Sequence, residues 1–398
     1  MADSSVGRTP DFGSGGRRFD PFSANQYFFH TIGSHEAGGC DVCSTKVSAA
    51  FAGALTMSFM ERAQVAALVV SSHPAANIKL PTGPEVPLAP IAGKSVLGWV
   101  IDAVLGASVR RIAVLTNEPT SQTRSELAHR TDRAMIEFVA PSRDIAESVF
   151  FALERLGSAF TLSETAHLLI LPAEAPQIQT TELRALVEAH LASNATATLM
   201  AAAETLEIDD HEPIVTRDGS GRVVSIADAS AGPTGILCIN ASVLLPSLRR
   251  VGSTSWRRPV PFAEILQVLD GLGHQTRVIE RAEALQTIST VATRTPIEIE
   301  LHDRVIAGWL DRGTAMPDPR QVTIDATATL GQGVRVLPGT VIEGVTVIGD
   351  GAVVGPNTHL IDALIGTGAK VPHSVVMNAE VQAREQVPPF SVLGSAAL

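Results

Sequence analysis

Residues 324 to 382 read IDATATLGQGVRVLPGTVIEGVTVIGDGAVVGPNTHLIDALIGTGAKVPHSVVMNAEVQ, and in this stretch an aliphatic residue returns almost every sixth position. The register runs Ile324, Leu330, Val336, Ile342, Ile348, Val354 and Leu360, then after one five-residue unit Ile365, Val371 and Met377. Four places on in each unit stands a small or β-branched residue: Ala328, Val334, Thr340, Thr346, Ala352, Thr358, Ala369, Val375 and Val381. Gly331, Gly349, Gly355 and Gly366 hold the second place. Such spacing predicts a parallel β-helix, because three six-residue units close one triangular coil with the aliphatic side chain inside and the small one in the crowded interior. About three coils fit between Ile324 and Gln382.

Upstream, the chain has to say what this prism is attached to. Its 398 residues allow roughly two to three domains. With 45% hydrophobic and 18% charged residues, it has ample material for buried cores. A net charge of −11 excludes a nucleic-acid groove, which needs a basic stripe to hold phosphates. Cys40, Cys43 and Cys238 are too few for a disulfide framework, and Cys238 falls in an apolar run that reads as a strand, so a reducing, cytoplasmic setting is expected. The longest apolar run, Ala49 to Met60, is too short to span a bilayer, and no membrane partner is expected.

The first 60 or so residues carry Gly-rich runs without periodicity and read as an extension outside the fold, or as a start assigned upstream of Met57 or Met60. Cys40-x-x-Cys43 with His30 and His35 supplies zinc-ligand residue types, but no second pair stands at a set distance, so a solvated tail is the expectation. From about 61 to 285 short apolar runs alternate with helical spacing: Val65 to Val70, Val96 to Leu105, Ile112 to Leu115, Asp144 to Leu156, Leu168 to Leu171, Thr181 to Ala192 and Thr198 to Ala202. This predicts a parallel sheet covered on both faces. A hairpin follows, Pro213 to Arg217 and Arg222 to Ile226 around Asp218-Gly219-Ser220-Gly221. Residues 286 to 320 read as a helical linker and 321 to 398 as the hexapeptide prism. Ligands of such sheets lie beyond the carboxyl ends of the strands, which directs attention to the loops after Val70, Leu171 and Ile226.

At those loops, "PIAGKSVLGWVIDAV" (90 to 104), "ATATLMAAA" (195 to 203) and "VVGPNTHLIDALIGTGAKVPHS" (353 to 374) resemble the bacterial bifunctional N-acetylglucosamine-1-phosphate uridylyltransferase/glucosamine-1-phosphate acetyltransferase family. The resemblance covers roughly residues 63 to 398. It implies a Rossmann-like nucleotidyltransferase domain followed by a left-handed parallel β-helix, here short at its C-terminal end, where "VPPFSVLGSAAL" looks like an end cap. It also implies Mg²⁺ as cofactor, a nucleotide sugar or sugar phosphate as ligand, a place in amino-sugar nucleotide and cell-wall precursor metabolism, and a homotrimer or a mixed trimer with an active relative.

The chemistry departs from the family's pattern. Its phosphate loop L-A-A-G-x-G-T-R reads Leu68-Val69-Val70-Ser71-Ser72-His73-Pro74-Ala75 here, so the glycines that let backbone N–H groups wrap phosphate are absent and Pro74 has no N–H to donate. Ser71, Ser72 and His73 are the nucleotide-binding candidates that remain, and Lys79 is the nearby cation in place of the family's lysine. The Gly-Asp-x-Pro whose aspartate holds magnesium corresponds to Ala173-Glu174-Ala175-Pro176, which makes Glu174 the metal-ligand candidate. Its asparagine partner aligns with Pro233, and the sugar-contacting glutamate with Asp228, the second carboxylate candidate. The uracil-reading stretch becomes Ser142 to Ser148. For the acetyl-transfer half, Gly366-Thr367-Gly368-Ala369-Lys370-Val371-Pro372-His373 matches the family's G-x-G-x-K-x-x-H and nominates His373 as base, although the expected tyrosine is Val376 and the expected lysine and arginine are Ile361 and Leu337. Three function classes follow: a divergent nucleotidyltransferase with its standard motifs largely lost, an inactive nucleotide-sugar-binding or oligomer-partner subunit, and a hexapeptide-repeat acyltransferase.

Overall fold

The computed structural model describes residues 64–71, 86–116, 127–128, 130–163, 165–202, 215–217, 223–226, 235–252, 260, 262–281, 285–288 and 290–395. All of them belong to the unit Ala54–Leu398. The readings made for residues 1 to 60, including Cys40, Cys43, Met57 and Met60, lie outside the described residues.

Seven strands form the main sheet: β1 (Gln64–Val70), β2 (Arg111–Leu115), β3 (Met135–Val139), β4 (Ala166–Pro172), β5 (Ala197–Ala202), β6 (Gly235–Asn240) and β7 (Thr276–Arg281), in the order β7-β5-β6-β4-β1-β2-β3. Continuous Ala, Val, Leu and Ile runs suit strands buried on both faces. Ala66, Leu68 and Val70 pack under helices α2 (Ile145–Leu156), α4 (Ala241–Val251) and α5 (Phe262–Gly271), while Ala67 and Val69 pack under α1 (Val96–Gly106) and α3 (Thr180–Ser193). Each large aliphatic side chain buried in these layers contributes roughly 1.5–3 kcal/mol.

The sheet is mixed rather than wholly parallel as expected. β6 runs antiparallel to both β4 and β5, and every other pairing is parallel. The chain passes through the expected hairpin, Val215–Arg217 against Val223–Ile226, and returns between two strands it had already placed. Apolar runs identify a buried strand but carry no direction, which is why β6 could not be oriented from its residues.

After β7, helix α6 (Val291–Asp311) leads to the prism. Its three faces are parallel ladders. One contains Val322–Ile324, Thr340–Glu343, His359–Ile361, Val375–Met377 and Val392–Gly394; the others stack Thr329–Leu330 through Glu380–Val381 and Arg335–Val336 through Lys370–Val371. Ile324, Val336, Ile342, Val354, Leu360 and Val371 are fully buried, as the six-residue register requires.

Beyond Val371 the expected register is off by one place. Val376, not Met377, points inward, Ser374 replaces Val375 as the small interior residue, and Val381 takes an aliphatic core position. Val371, Val376 and Val381 are five apart, so two further five-residue units follow the one at Leu360 to Ile365. Val375-Val376-Met377 offers three apolar candidates in a row, and the corner rather than hydrophobicity selects among them.

The sheet domain meets the prism at a short hairpin, Pro90–Ile91 with Lys94–Ser95. Ala326 donates its N–H to the Ala92 carbonyl at 3.0 Å. Gly93 has φ +84°, and a Cβ there would lie 2.5 Å from the Asp325 Cβ, so this close approach needs glycine on both grounds.

Candidate functional site at the carboxyl ends of β1 and β4

β1 continues to β2 on one side of the sheet and β4 to β5 on the other, so the connections diverge at their carboxyl ends, the position at which such sheets hold a ligand crevice. Ser71 follows β1 directly and is held by its N–H to the Leu115 carbonyl at 2.9 Å. On the neighbouring strand Ala173 donates to the Val70 carbonyl at 3.0 Å, which fixes the loop after β4. These two anchors bring the Ser71 hydroxyl to Glu174, where it donates to Oε1 at 2.7 Å.

Glu174 is 1% exposed. Burial pushes its carboxyl up to about 7, against a smaller opposing effect of the Ser71 hydroxyl and the residue's own backbone N–H, both of which favour the ionised form. The whole loop from Ala173 to Ile178 is buried. Buried loop backbone must find partners, and here they come from the far end of the chain. Ile288 donates its N–H to the Glu174 carbonyl at 2.9 Å, and Arg304 of α6 donates to the Gln177 carbonyl at 3.0 Å. The Gln177 side-chain amide donates to Glu300, which also pairs with Arg304 at 2.7 Å. No periodic signal links Gln177 to Glu300 and Arg304, since it lies more than a hundred residues from both in sequence.

Of the candidates read from sequence, Ser71 and Glu174 are brought together. Ser72, His73, Lys79 and Asp228, with Pro74, Ala75 and Pro233, lie outside the described residues. The Ser142 to Ser148 stretch joins β3 to α2 and is internally bonded: Ser142 donates its N–H to the Ser148 hydroxyl at 2.8 Å, that hydroxyl donates to the Asp144 carbonyl at 2.7 Å, and the Ser142 hydroxyl donates to Glu147. His373 stands on the prism at a corner with φ +46°, its ring stacked on Phe390 at a centroid distance of 5.5 Å and an angle of 30°. Its N–H donates to the Pro356 carbonyl and its carbonyl accepts from Phe390, both at 2.8 Å. Val376, where the resemblance expects a substrate-facing tyrosine, is sealed in the prism interior.

A search of family models returns no match. Curated relatives do match. The chain is 26% identical over 320 residues to the bifunctional protein GlmU of Halalkalibacterium halodurans, spanning 77% of this chain and 68% of that protein. To the bifunctional protein GlmU of Streptomyces avermitilis it is 27% identical over 316 residues, 76% of this chain and 64% of the relative, and to that of a Geobacillus species 25% identical over 324 residues, 76% and 67%. It thus spans about two thirds of the length of these relatives. A nucleotide-binding type of α/β sheet joined by one helix to hexapeptide coils defines a nucleotidyltransferase domain with a parallel β-helix. Over these regions the chain is similar to the GlmU bifunctional proteins.

Proposed function

We propose that this chain is a divergent sugar-1-phosphate nucleotidyltransferase-like protein of amino-sugar nucleotide and cell-wall precursor metabolism. It binds a nucleotide sugar or sugar phosphate above β1 and β4 and has lost ordinary uridylyl transfer. The observation that carries this reading is Glu174. Mg²⁺ wants ionised oxygens at about 2.0–2.1 Å and keeps several of its waters. The Glu174 carboxyl instead is pushed up to about 7 by burial, gives one oxygen to Ser71, and sits in a loop buried along its length. These residues do not fit the ion. What they do supply is a buried, preorganised carboxyl and hydroxyl pair at the carboxyl ends of β1 and β4.

The same reading places the chain in the cytoplasm and in a trimer built on the prism, with itself or with an active relative. Val341, Val347 and Ile361 lie on outer faces and are partly exposed, and burying them against a second prism supports that arrangement. Among the described residues, no helix is long and apolar enough to cross a membrane. His373 gives the acyltransferase reading little support, because its ring is engaged with Phe390.

A thermal-shift series with UTP, UDP-N-acetylglucosamine and N-acetylglucosamine-1-phosphate tests the binding half, since a ligand of the native state raises Tm. Pyrophosphate release from UTP and N-acetylglucosamine-1-phosphate tests the other. Loss of several preorganised phosphate donors at on the order of 10² to 10³ each, with non-additivity allowed for, sets the expected rate at least about 10⁴-fold below an intact relative. Ordinary turnover, or no Tm shift with any of the three ligands, overturns the reading.

A further inference from the structure

Helix α6 reaches both parts of the molecule. Its Ile297 and Leu301 pack with Ile288, Val86, Ile91 and Val96 under the sheet domain, and farther along Ile306, Val305 and Trp309 pack on the prism. Where it passes the Glu174 loop it presents Glu300 and Arg304 one turn apart, bonded to each other at 2.7 Å. Arg304 reaches the Gln177 backbone carbonyl and Glu300 takes the Gln177 amide, so one residue of the loop is held at both main chain and side chain. Gln177 is 7% exposed, and only Ala175 and Pro176 separate it from Glu174. A buried carbonyl left unpaired is costly, and a charge-assisted partner offsets that more strongly than a neutral one.

We propose that Glu300 and Arg304 are positioning residues for the crevice: through Gln177 they hold the Glu174 loop in its ligand-ready place, although neither touches the crevice itself. The inference rests on the nucleotide-sugar reading for the ligand, and on geometry alone for the loop. A surface ion pair between residues four apart on a helix contributes little to the helix itself. The worth of this pair therefore lies in what it holds. α6 is the element that docks the prism, so the same helix that seats the coils also sets the loop.

The test uses the full chain carrying Arg304→Met, Arg304→Lys, Glu300→Gln or, as a control on the same helix, Arg294→Met, which loses its bonds to the Pro90 carbonyl and Glu298. Hydrogen exchange of the peptide covering 173 to 179 is expected to speed up about tenfold or more in Arg304→Met, the fold-change that losing one charge-assisted bond carries. Arg304→Lys, which restores a cationic donor, recovers most of the protection, and Arg294→Met leaves this peptide unchanged. Affinity for UDP-N-acetylglucosamine falls by a similar factor in Arg304→Met and Glu300→Gln. Should Arg304→Met not fold, Glu300→Gln carries the same two readouts. Unchanged exchange at 173 to 179 in both variants overturns the inference whether or not ligand binds. Wild type that binds no nucleotide sugar refutes the proposed function instead, and the exchange data still decide the positioning role.

Discussion

Replacing Glu174 by glutamine should change the stability of the protein in a pH-dependent way that can be worked out in advance. Burial lifts the carboxyl from its ordinary 4.5 to about 7. A folded-state value above the unfolded one means that the native protein keeps a proton the unfolded chain releases. The contribution is fully present below the unfolded value and is lost as pH rises through the folded one. A shift of about 2.5 units at about 1.36 kcal/mol per unit gives roughly 3 kcal/mol lost on going from about pH 5 to about pH 8.5. Glutamine fills nearly the same volume, accepts the Ser71 hydrogen bond and carries no titrating proton. Glu174→Gln should therefore match wild type near pH 5 and exceed it near pH 8.5 by roughly 3 kcal/mol, several degrees in Tm. The quantity to measure is the difference between the two proteins at each pH in parallel thermal or urea unfolding, because every other titrating group cancels in it. Parallel curves across this range, or a variant less stable than wild type at high pH, would refute the reasoning and return Glu174 to the role of an ionised ligand.

Other expectations follow from the same structure. His190 is fully buried, hydrogen-bonded to His167 at 3.0 Å and to Thr198 at 2.9 Å, and burial, with a smaller part from His167, lowers it from 6.5 to about 4. Here the unfolded chain takes the proton first, so stability is present above about pH 6.5 and up to roughly 3 kcal/mol is lost as pH falls toward 4; His190→Gln should flatten that limb of the unfolding profile. Ile361→Glu or Val347→Glu on the outer prism faces should convert a trimer to single chains in light scattering with a modest loss of Tm, whereas a single-chain mass for wild type removes the assembly. His373→Ala should cost under about 1 kcal/mol of stability, the order of one exposed aromatic contact, and should leave thiol release from acetyl-CoA at the background level of wild type; a wild-type signal abolished by this change would restore His373 as a catalyst.

What could be read in advance divides along physical lines. The prism was legible because each unit repeats one local demand, an aliphatic residue inside and a small one beside it, and from Ile324 to Val371 the recurring spacing selects the inward residue even where an apolar neighbour such as Val341 or Ile361 stands beside it. It failed at Val375-Val376-Met377, where three apolar neighbours satisfy the pattern equally and turn geometry decides. In the α/β part, β1, β4 and α3 stood out as apolar runs and helical spacing, but the reversed direction of β6 depends on which strands already occupy the sheet. Glu174 could be singled out by resemblance as a metal ligand. Its partner Ser71 lies 103 residues away, and the buried loop that carries it is held by Ile288, Glu300 and Arg304 from the far end of the chain. A carboxylate in a string of letters has no exposure, so its pKa could not be read there.

The central claim is a crevice that recognises a nucleotide sugar without ordinary uridylyl transfer, and calorimetric titration of the full chain with UDP-N-acetylglucosamine, followed by pyrophosphate release on the same preparation with UTP, N-acetylglucosamine-1-phosphate and excess Mg²⁺, tests it most directly. The account predicts saturable one-site binding that Mg²⁺ leaves unchanged, and turnover at least about 10⁴-fold below an intact relative. Mg²⁺-dependent binding together with turnover at the relative's rate would contradict it.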